Sequence, residues 1–397
     1  MRALDDLRNE LGSPDVGPLG LDEYQRCAVR LFRAHAPDVD KLNFLLLGLF
    51  GEVGSLLSEL KKKQRDRNSY YAYGASTLEE TGDALWYLAN IVDHCGLRLS
   101  NLAARQAASL LEGSPHRLFL ELQPQPALFH EPASPAPVQA SLLALAETVG
   151  ELIAHAKANA GGEEFKADLA RIVEQLVSAS TDAQVNLADA AQANLDKLLA
   201  RWPIHPAWGT LLDAKYEPWE QFPRTMRILF DERRVGSRLY VFQSMNGVHV
   251  GDRLTDNSAV EDDYRFHDVF HLAFAAILGW SPVLRSLLKL KRKSRPEIDE
   301  QEDGARAALT EEGISNWIFA HGLRHDAFEN VATLDFALLK TIAQMVKGYE
   351  VEIQPPWMWE HAILEGFRVF RDLRRHRGGL VVADLHSRTL TFEPPAQ

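Results

Sequence analysis

The sequence predicts a mainly α-helical protein, an all-α N-terminal bundle followed by an α+β C-terminal domain. Three observations predict it. Across the first 203 residues apolar side chains recur at helical spacing and almost nothing alternates as a strand would. Six prolines between Pro115 and Pro137 interrupt that pattern once. From Pro203 onward alternating segments appear, with an Asn-Gly turn signal among them. The 397 residues are enough for two or three domains, each with its own core.

Residues 21–35 place Tyr24, Ala28, Leu31 and Phe32 on one stripe of an amphipathic helix. A second helix is expected from about Lys41 to Lys63, its basic end suited to a helix C-terminus. Gln64–Ser76 reads as a loop with Gly74 as a breaker. Thr77-Leu78-Glu79-Glu80 then reads as a capping box opening a third helix that runs to Cys95 and stops at Gly96. A fourth helix is expected over Ser100–Leu111. The proline-rich stretch 113–137 reads as a linker without regular structure, and helices resume at 138–158, 163–180 and 187–202.

These later helices look like a worn copy of the first unit. Leu145-Ala-Glu-Thr-Val-Gly-Glu-Leu152 echoes Leu49-Phe-Gly-Glu-Val-Gly-Ser-Leu56, and Ala167-Asp168 stands where Gly82-Asp83 stood. The expected organisation is therefore 1–112, a linker 113–137, a degenerate second unit 138–203, and an α+β domain 204–397. In that last domain Met226–Asp231 alternates, and Arg238–Gln243 and Val248–Arg253 flank Met245-Asn246-Gly247 as a hairpin. Helices are expected at 260–278, 305–322, 330–352 and 357–376, with a closing hairpin at Leu380–Phe392.

Composition narrows the function. Forty-three basic against fifty-five acidic residues give a net charge of −12, which argues against nucleic acid as a partner and suits carboxylates that hold cations. Two cysteines, Cys27 and Cys95, build neither a disulfide framework nor a cysteine zinc site. The N-terminus lacks an apolar signal core, and the longest apolar run, Phe44–Phe50, is too short to span a bilayer. The chain reads as cytoplasmic, without a membrane partner.

The informative feature is a pair of apolar helices with acidic faces. Glu52, Ser55 and Glu59 share one helix face, as do Glu80 and Asp83 on the other. Packed as antiparallel neighbours, these helices bring Glu52, Glu59, Glu80 and Asp83 together at partly buried depth. Like charges so placed call for a cation, and all-oxygen ligation suits Mg²⁺ or Mn²⁺. Gly51, Gly54 and Gly82 fit where a helix or ligand comes close. Spacing alone leaves open the plainer alternative of solvated helix faces.

Leu21-Asp-Glu-Tyr-Gln25, Gly48-Leu-Phe-Gly-Glu-Val-Gly54 and Glu79-Glu-Thr-Gly-Asp-Ala-Leu-Trp-Tyr-Leu88 together resemble the MazG-type nucleoside triphosphate pyrophosphohydrolases, an all-α group that includes dimeric dUTPases. The resemblance covers residues 20–112 well and 140–203 weakly. The family's metal motif is ExxE followed by ExxD. Glu52 matches its first acid, Glu80 and Asp83 its third and fourth, and Ser55 departs from the second, where Glu59 one turn on is a substitute. The family's last helix carries an Asn-x-x-Lys-x-x-x-Arg-like run. Gln106 and Ser109 of the first unit fit it poorly, whereas Asn194, Lys197 and Arg201 of the second fit well. Conversely, Glu151 and Asp168 of the second unit are accompanied by Thr148 and Phe165 where acids are expected. An intrachain pseudo-dimer with one shared site follows, or else a homo-oligomer; the alternative is that Asn194, Lys197 and Arg201 form an exposed helix face.

The resemblance implies hydrolysis of a nucleoside triphosphate to monophosphate and pyrophosphate, with Mg²⁺ on Glu52, Glu59, Glu80 and Asp83. Glu59 or Glu79 would orient the attacking water, and Lys61, Lys62, Lys63 and Arg65 would meet the leaving pyrophosphate, unless they are a solvated helix end. The Tyr70-Tyr71-Ala72-Tyr73 loop would cover the base, while Trp86 reads as core.

In the C-terminal domain Asp263, His267 and His271 recur every four residues, with Asp268 beside them, as a helical metal clip completed by Glu311 and Glu312, by Glu350 and Glu352, or by Glu360, His361 and Glu365. The alternative is a pair of structural histidines bonded to acids. The basic stretch Lys289–Arg295, with Arg374, Arg375 and Arg377, is a solvated run or a phosphate contact. Two other functional readings stand beside the hydrolase. One is a nucleotide-sensing module regulating a C-terminal His/carboxylate effector; the other makes that C-terminal cluster the principal enzyme.

Overall fold

The computed structural model describes residues 2–12, 17–32, 40–104, 118–123 and 135–395. The chain divides into two compact units, Met1–Ile204 and His205–Gln397.

The first unit is helical: α1 (Arg2–Glu10), α2 (Leu21–Arg30), α3 (Lys41–Asp66), α4 (Tyr73–His94), α5 (Leu99–Ala104), α6 (Pro135–Asn159), α7 (Glu163–Asp182) and α8 (Leu187–Arg201). Asp40 caps α3 by accepting from the Asn43 amide, and Asn186 caps α8 in the same way. Tyr24, Leu45, Leu49, Leu88, Leu145, Leu169 and Leu195 meet in one continuous core. The two halves exchange partners: α8 packs on α4, α5 packs on α7, and α3 packs beside α6. By length and composition α3 is apolar enough to cross a membrane; here it buries Leu45, Leu49, Val53 and Leu56 inside the bundle.

Several expectations need correction. The connection after α3 is shorter than Gln64–Ser76, because α3 continues to Asp66 and α4 begins at Tyr73. Thr77 is therefore no cap. Its hydroxyl donates to the Tyr73 carbonyl one turn back, the alternative that threonine takes inside a helix. Gly74 lies in the first turn of α4 and breaks nothing. The fourth helix is described to Ala104; the rest of it, with Gln106 and Ser109, lies outside the described residues. Within the proline-rich stretch, most of which also lies outside them, residues 118–123 are built into the bundle. Phe119 is buried edge-on against Tyr24, and the Gln123 side chain accepts from the Leu187 amide. Pro135 and Pro137 sit in the first turn of α6, where a missing N–H costs nothing.

The second unit opens with the strands β1 (Thr225–Val235), β2 (Arg238–Met245) and β3 (Val248–His249). The helices α9 (Asp268–Ala273), α10 (Pro282–Leu287), α11 (Pro296–Gln301), α12 (Ala305–Leu323), α13 (Phe336–Met345) and α14 (Pro356–His376) follow. The strands β4 (Gly378–Asp384) and β5 (Thr389–Glu393) close the unit. The sheet is antiparallel in the order β3-β2-β1-β4-β5. Asn246 and Gly247 take the positive φ values of the expected tight turn, setting Met245 opposite Val248. The 260–278 segment is not one helix. Asp263 is left-handed (φ 69°), a short 3-10 turn follows, and α9 then widens into a π turn at Phe274–Leu278. The 330–352 segment also breaks, after α13 near Gly348, whose φ of +88° a helix cannot hold.

Candidate functional site

The acidic group forms where α3 and α4 lie side by side. One ligand oxygen each from Glu52, Glu80 and Asp83 falls within 4.8 Å of the others, at half-buried depth. Burial, a hydrogen bond with Glu80 and the charges of Asp83 and Glu80 push the Glu52 carboxyl up to about 8, against an opposing pull from Lys197. Tyr87 borders the group, its hydroxyl raised by burial and then by Glu52 and Asp83. Its ring rests on Gly48, where a Cβ would lie 2.0 Å from it.

The adjoining wall is α8, and Gly82 admits it. A Cβ at Gly82 would stand 2.7 Å from the Ala190 carbonyl oxygen and 3.0 Å from Asn194 Cβ. At this crossing Asn194 Nδ2 donates to Asp83 Oδ1 at 2.8 Å. Lys197 Nζ lies 2.5 Å from both Asp83 oxygens and 3.2 Å from Glu79 Oε1. Burial works against the Lys197 charge, but Asp83 and Glu79 hold its pKa above the ordinary value. Beneath them the buried Tyr24 hydroxyl donates to Asn194 Oδ1 at 3.0 Å, which turns the amide nitrogen toward Asp83.

Glu59 stands apart from this group, a correction to its place among the expected ligands. It is buried one turn on, bonded by Lys62 Nζ at 2.6 Å and by the Tyr70 hydroxyl. Lys62 is thus engaged with Glu59, and the half-buried Lys63 donates to the Arg67 carbonyl. Ser55 is half-buried on α3, and Gly51 and Gly54 have no neighbouring atom where a Cβ would project, so neither marks a close approach. The Arg201 guanidinium lies 4.6 Å over the Trp202 ring. Trp86 stacks on Phe32, as a core residue would. Tyr24 is the member that spacing arguments overlooked. It lies in the first of the three quoted blocks, but nothing local points it at an asparagine 170 residues away.

In the second half Asp168, which corresponds to Asp83, and Glu151, which stands where Ser55 does, meet cations of that half. Asp168, 1% exposed, accepts from Arg171 and lies 2.5 Å from His155 Nδ1, while Arg171 also reaches Glu151 at 2.6 Å.

In the C-terminal unit, His267, Asp268 and His271 each offer one ligand atom within 4.8 Å of the others. His267 Nε2 lies 3.1 Å from Asp268 Oδ1 and 3.8 Å from Glu312 Oε2, and His271 Nε2 lies 3.6 Å from Glu312 Oε2. Burial lowers the His267 pKa. For His271 burial acts the same way, but Glu311 and Glu312 outweigh it and hold the pKa well above the usual histidine range. Glu311 supports His271 from behind, its Oε1 2.8 Å from Nδ1 and its Oε2 accepting from the Val283 amide.

Asp263 does not join them, a second correction. Its carboxylate binds Arg265, Arg374 and Arg377. A buried Arg265 needs such partners and also takes Glu232 and Asp256, so the chain turns at Asp263 instead of starting a helix there. The basic stretch is partly internal as well, since Arg292 is fully buried between Asp303 and Glu350.

Residues 208–396 match the family model described as the MazG C-terminal domain. The match supports a MazG-like family, at the level of nucleotide pyrophosphohydrolase-like proteins. No curated protein and no solved structure matches the chain.

Proposed function

Taking as premise that the C-terminal half of this chain is a MazG C-terminal domain, we propose that the N-terminal unit is a Mg²⁺-dependent nucleoside triphosphate pyrophosphohydrolase, releasing monophosphate and pyrophosphate. The observation that carries the reading is the meeting of Glu52, Glu80 and Asp83 on α3 and α4 with Asn194 and Lys197 on α8. The donor set fits the ion: hard carboxylate oxygens, crowded enough that Glu52 keeps a proton up to about pH 8, are relieved by a divalent cation. Mg²⁺ or Mn²⁺ bound there would neutralise triphosphate charge and acidify water.

The remaining work falls to side chains of this chain. Asn194, oriented by Tyr24, holds one Asp83 oxygen in place. Lys197 neutralises Asp83 and is the ammonium best placed to meet a phosphate oxygen. Glu79, within reach of Lys197, is the carboxylate suited to orient water. Because the acids and the lysine come from opposite halves, the chain would act as an intrachain pseudo-dimer built by duplication, with one composite site.

The test is pyrophosphate release from a panel of ribo- and deoxyribonucleoside triphosphates, with and without Mg²⁺. Equal rates for the wild type and Glu80→Ala would sink the proposal. Ser55 and the engagement of Glu59 favour a second reading, a module that binds nucleotide without turnover. Saturable nucleotide binding that needs Mg²⁺ but yields no pyrophosphate would select it.

A further inference from the structure

We propose that His267, Asp268, His271 and Glu312 form a binding site for one divalent transition-metal ion of the zinc class. The argument begins with the far side of each imidazole. His267 Nδ1 lies 2.9 Å from the Tyr264 carbonyl oxygen, which can only accept, so Nδ1 carries hydrogen. His271 Nδ1 faces the Glu311 carboxylate, whose other oxygen is already an acceptor from the Val283 amide, and it carries hydrogen too. With both Nδ1 atoms occupied, the two Nε2 atoms are the ones left to take either a proton or an ion, and both are aimed at the same place, the arrangement by which outer partners orient metal-binding histidines.

What they are aimed at is carboxylate oxygen. The separations are 3.1 Å from His267 Nε2 to Asp268 Oδ1, 3.8 Å to Glu312 Oε2, and 3.6 Å from His271 Nε2 to that same Glu312 oxygen. Donors bound tetrahedrally at roughly 2.0–2.1 Å stand about 3.3 Å apart; His267, Asp268 and His271 form the mutually close group, and Glu312, near both imidazole nitrogens, is the carboxylate that closes on an ion held there. His271 Nε2 gives an independent pointer: it is wholly buried and has no hydrogen-bond partner. Buried nitrogens and carboxylates facing one another need positive charge between them, and a metal ion can supply it in place of imidazolium protons.

The surroundings are those of a built site. Gln243 Nε2 donates to Asp268 Oδ2 at 2.6 Å, leaving Oδ1 for a ligand role. The Tyr264 ring stacks on His267 at 4.1 Å and fixes its plane. Two imidazoles with two carboxylates favour Zn²⁺, or Fe²⁺ and Mn²⁺ after it, over the all-oxygen preference of Mg²⁺. Only the Glu312 side chain, 42% exposed, reaches solvent appreciably, so it is the gate through which ion and any further ligand enter.

The test uses the full chain carrying Glu80→Ala, so that the N-terminal carboxylates do not contribute and failure of the hydrolase reading leaves the outcome untouched. After stripping with a chelator, Zn²⁺ is titrated calorimetrically, and Co²⁺ is added to read the visible absorption of a tetrahedral nitrogen–oxygen site. One Zn²⁺ per chain is expected, bound at least about tenfold more weakly after Glu312→Gln or His267→Gln. Glu312 is half-exposed, so Glu312→Gln should fold as the parent does, checked by circular dichroism, and it decides the matter if His267→Gln does not fold. No Zn²⁺ uptake, or uptake that Glu312→Gln leaves unchanged, overturns the site in favour of a metal-free imidazolium–carboxylate network.

Discussion

The two halves of the N-terminal unit keep one acid at a corresponding point, Asp83 in the first and Asp168 in the second, and neutralise it differently. In α3 and α4, Glu52, Glu80 and Asp83 crowd together, and Lys197, bonded to Asp83, comes from the other half. In α6 and α7, Thr148 and Phe165 replace two acids, and Asp168 and Glu151 are held by Arg171 and His155 from their own helices. His155 aligns with Glu59 and Arg171 with Trp86. A handful of substitutions therefore separates a crowded carboxylate group from a pair of acids held by cations of their own half. A buried carboxylate must be paired, and the partner can be a side chain of the same half, one from another helix, or a ligand.

Four experiments break or sharpen that contrast. The largest effect is expected at Glu80: Glu80→Ala should lower pyrophosphate release by about a hundredfold or more, since a metal-held charge contributes several kcal/mol to the transition state. Asp168→Ala should leave the rate nearly intact and lower Tm by a few degrees, read by calorimetry. Loss of turnover in Asp168→Ala would make the second half a site in its own right.

Next comes the helix crossing. Gly82→Ala forces a Cβ to within 2.7 Å of the Ala190 carbonyl oxygen, so α8 must move, costing roughly 1–3 kcal/mol and separating Lys197 from Asp83. The counterpart Ala167→Gly, on an exposed surface, should cost about 1 kcal/mol from helix propensity alone. Equal denaturation midpoints for the two variants would contradict the close approach.

Lys197→Ala comes third, with KM for nucleotide raised about tenfold for one charge-assisted hydrogen bond. The matching Arg171→Ala should leave KM unchanged. A Lys197→Ala enzyme with wild-type KM and kcat would remove α8 from the site.

The smallest effect is in pH. Glu52 has a raised folded pKa, so its contribution is fully present below the unfolded value near 4.5 and is lost as pH rises through about 8. His155, raised by Asp168, acts in the same direction above its ordinary 6.5. Mg²⁺ separates them: it should restore only the part of Tm that Glu52→Gln also abolishes, and leave the His155→Asn part alone. A Tm–pH curve unaffected by Glu52→Gln would refute the crowding of the acids.

Legibility differed with the range of the interaction. Glu52 with Glu80 and Asp83 was readable, because heptad-like spacing on two apolar helices fixes which faces meet. The extra reach assigned to Glu59 was not, since Lys62 claims it from the next turn of α3 and Tyr70 from a stretch that spacing treats as a loop. The helical reading of Asp263 failed because a buried Arg265 three-way ion pair overrides local periodicity, and its partners Glu232 and Asp256 lie well upstream. Thr77 carries a capping signal, but its hydroxyl bonds the Tyr73 carbonyl inside α4.

The sequence by itself determined the helical N-terminal unit, the strand–helix–strand order of the C-terminal one, the Asn246-Gly247 turn and the residue types able to hold cations, because periodicity, turn chemistry and ligand chemistry are local properties. Only the tertiary structure decided that α8 crosses at Gly82 to set Lys197 on Asp83, that Arg171 and His155 silence the second acidic pair, and that Glu312 faces His267 and His271. Each of those depends on which side chains are left without water when helices distant in sequence close against one another, and burial makes every unmatched charge find a partner.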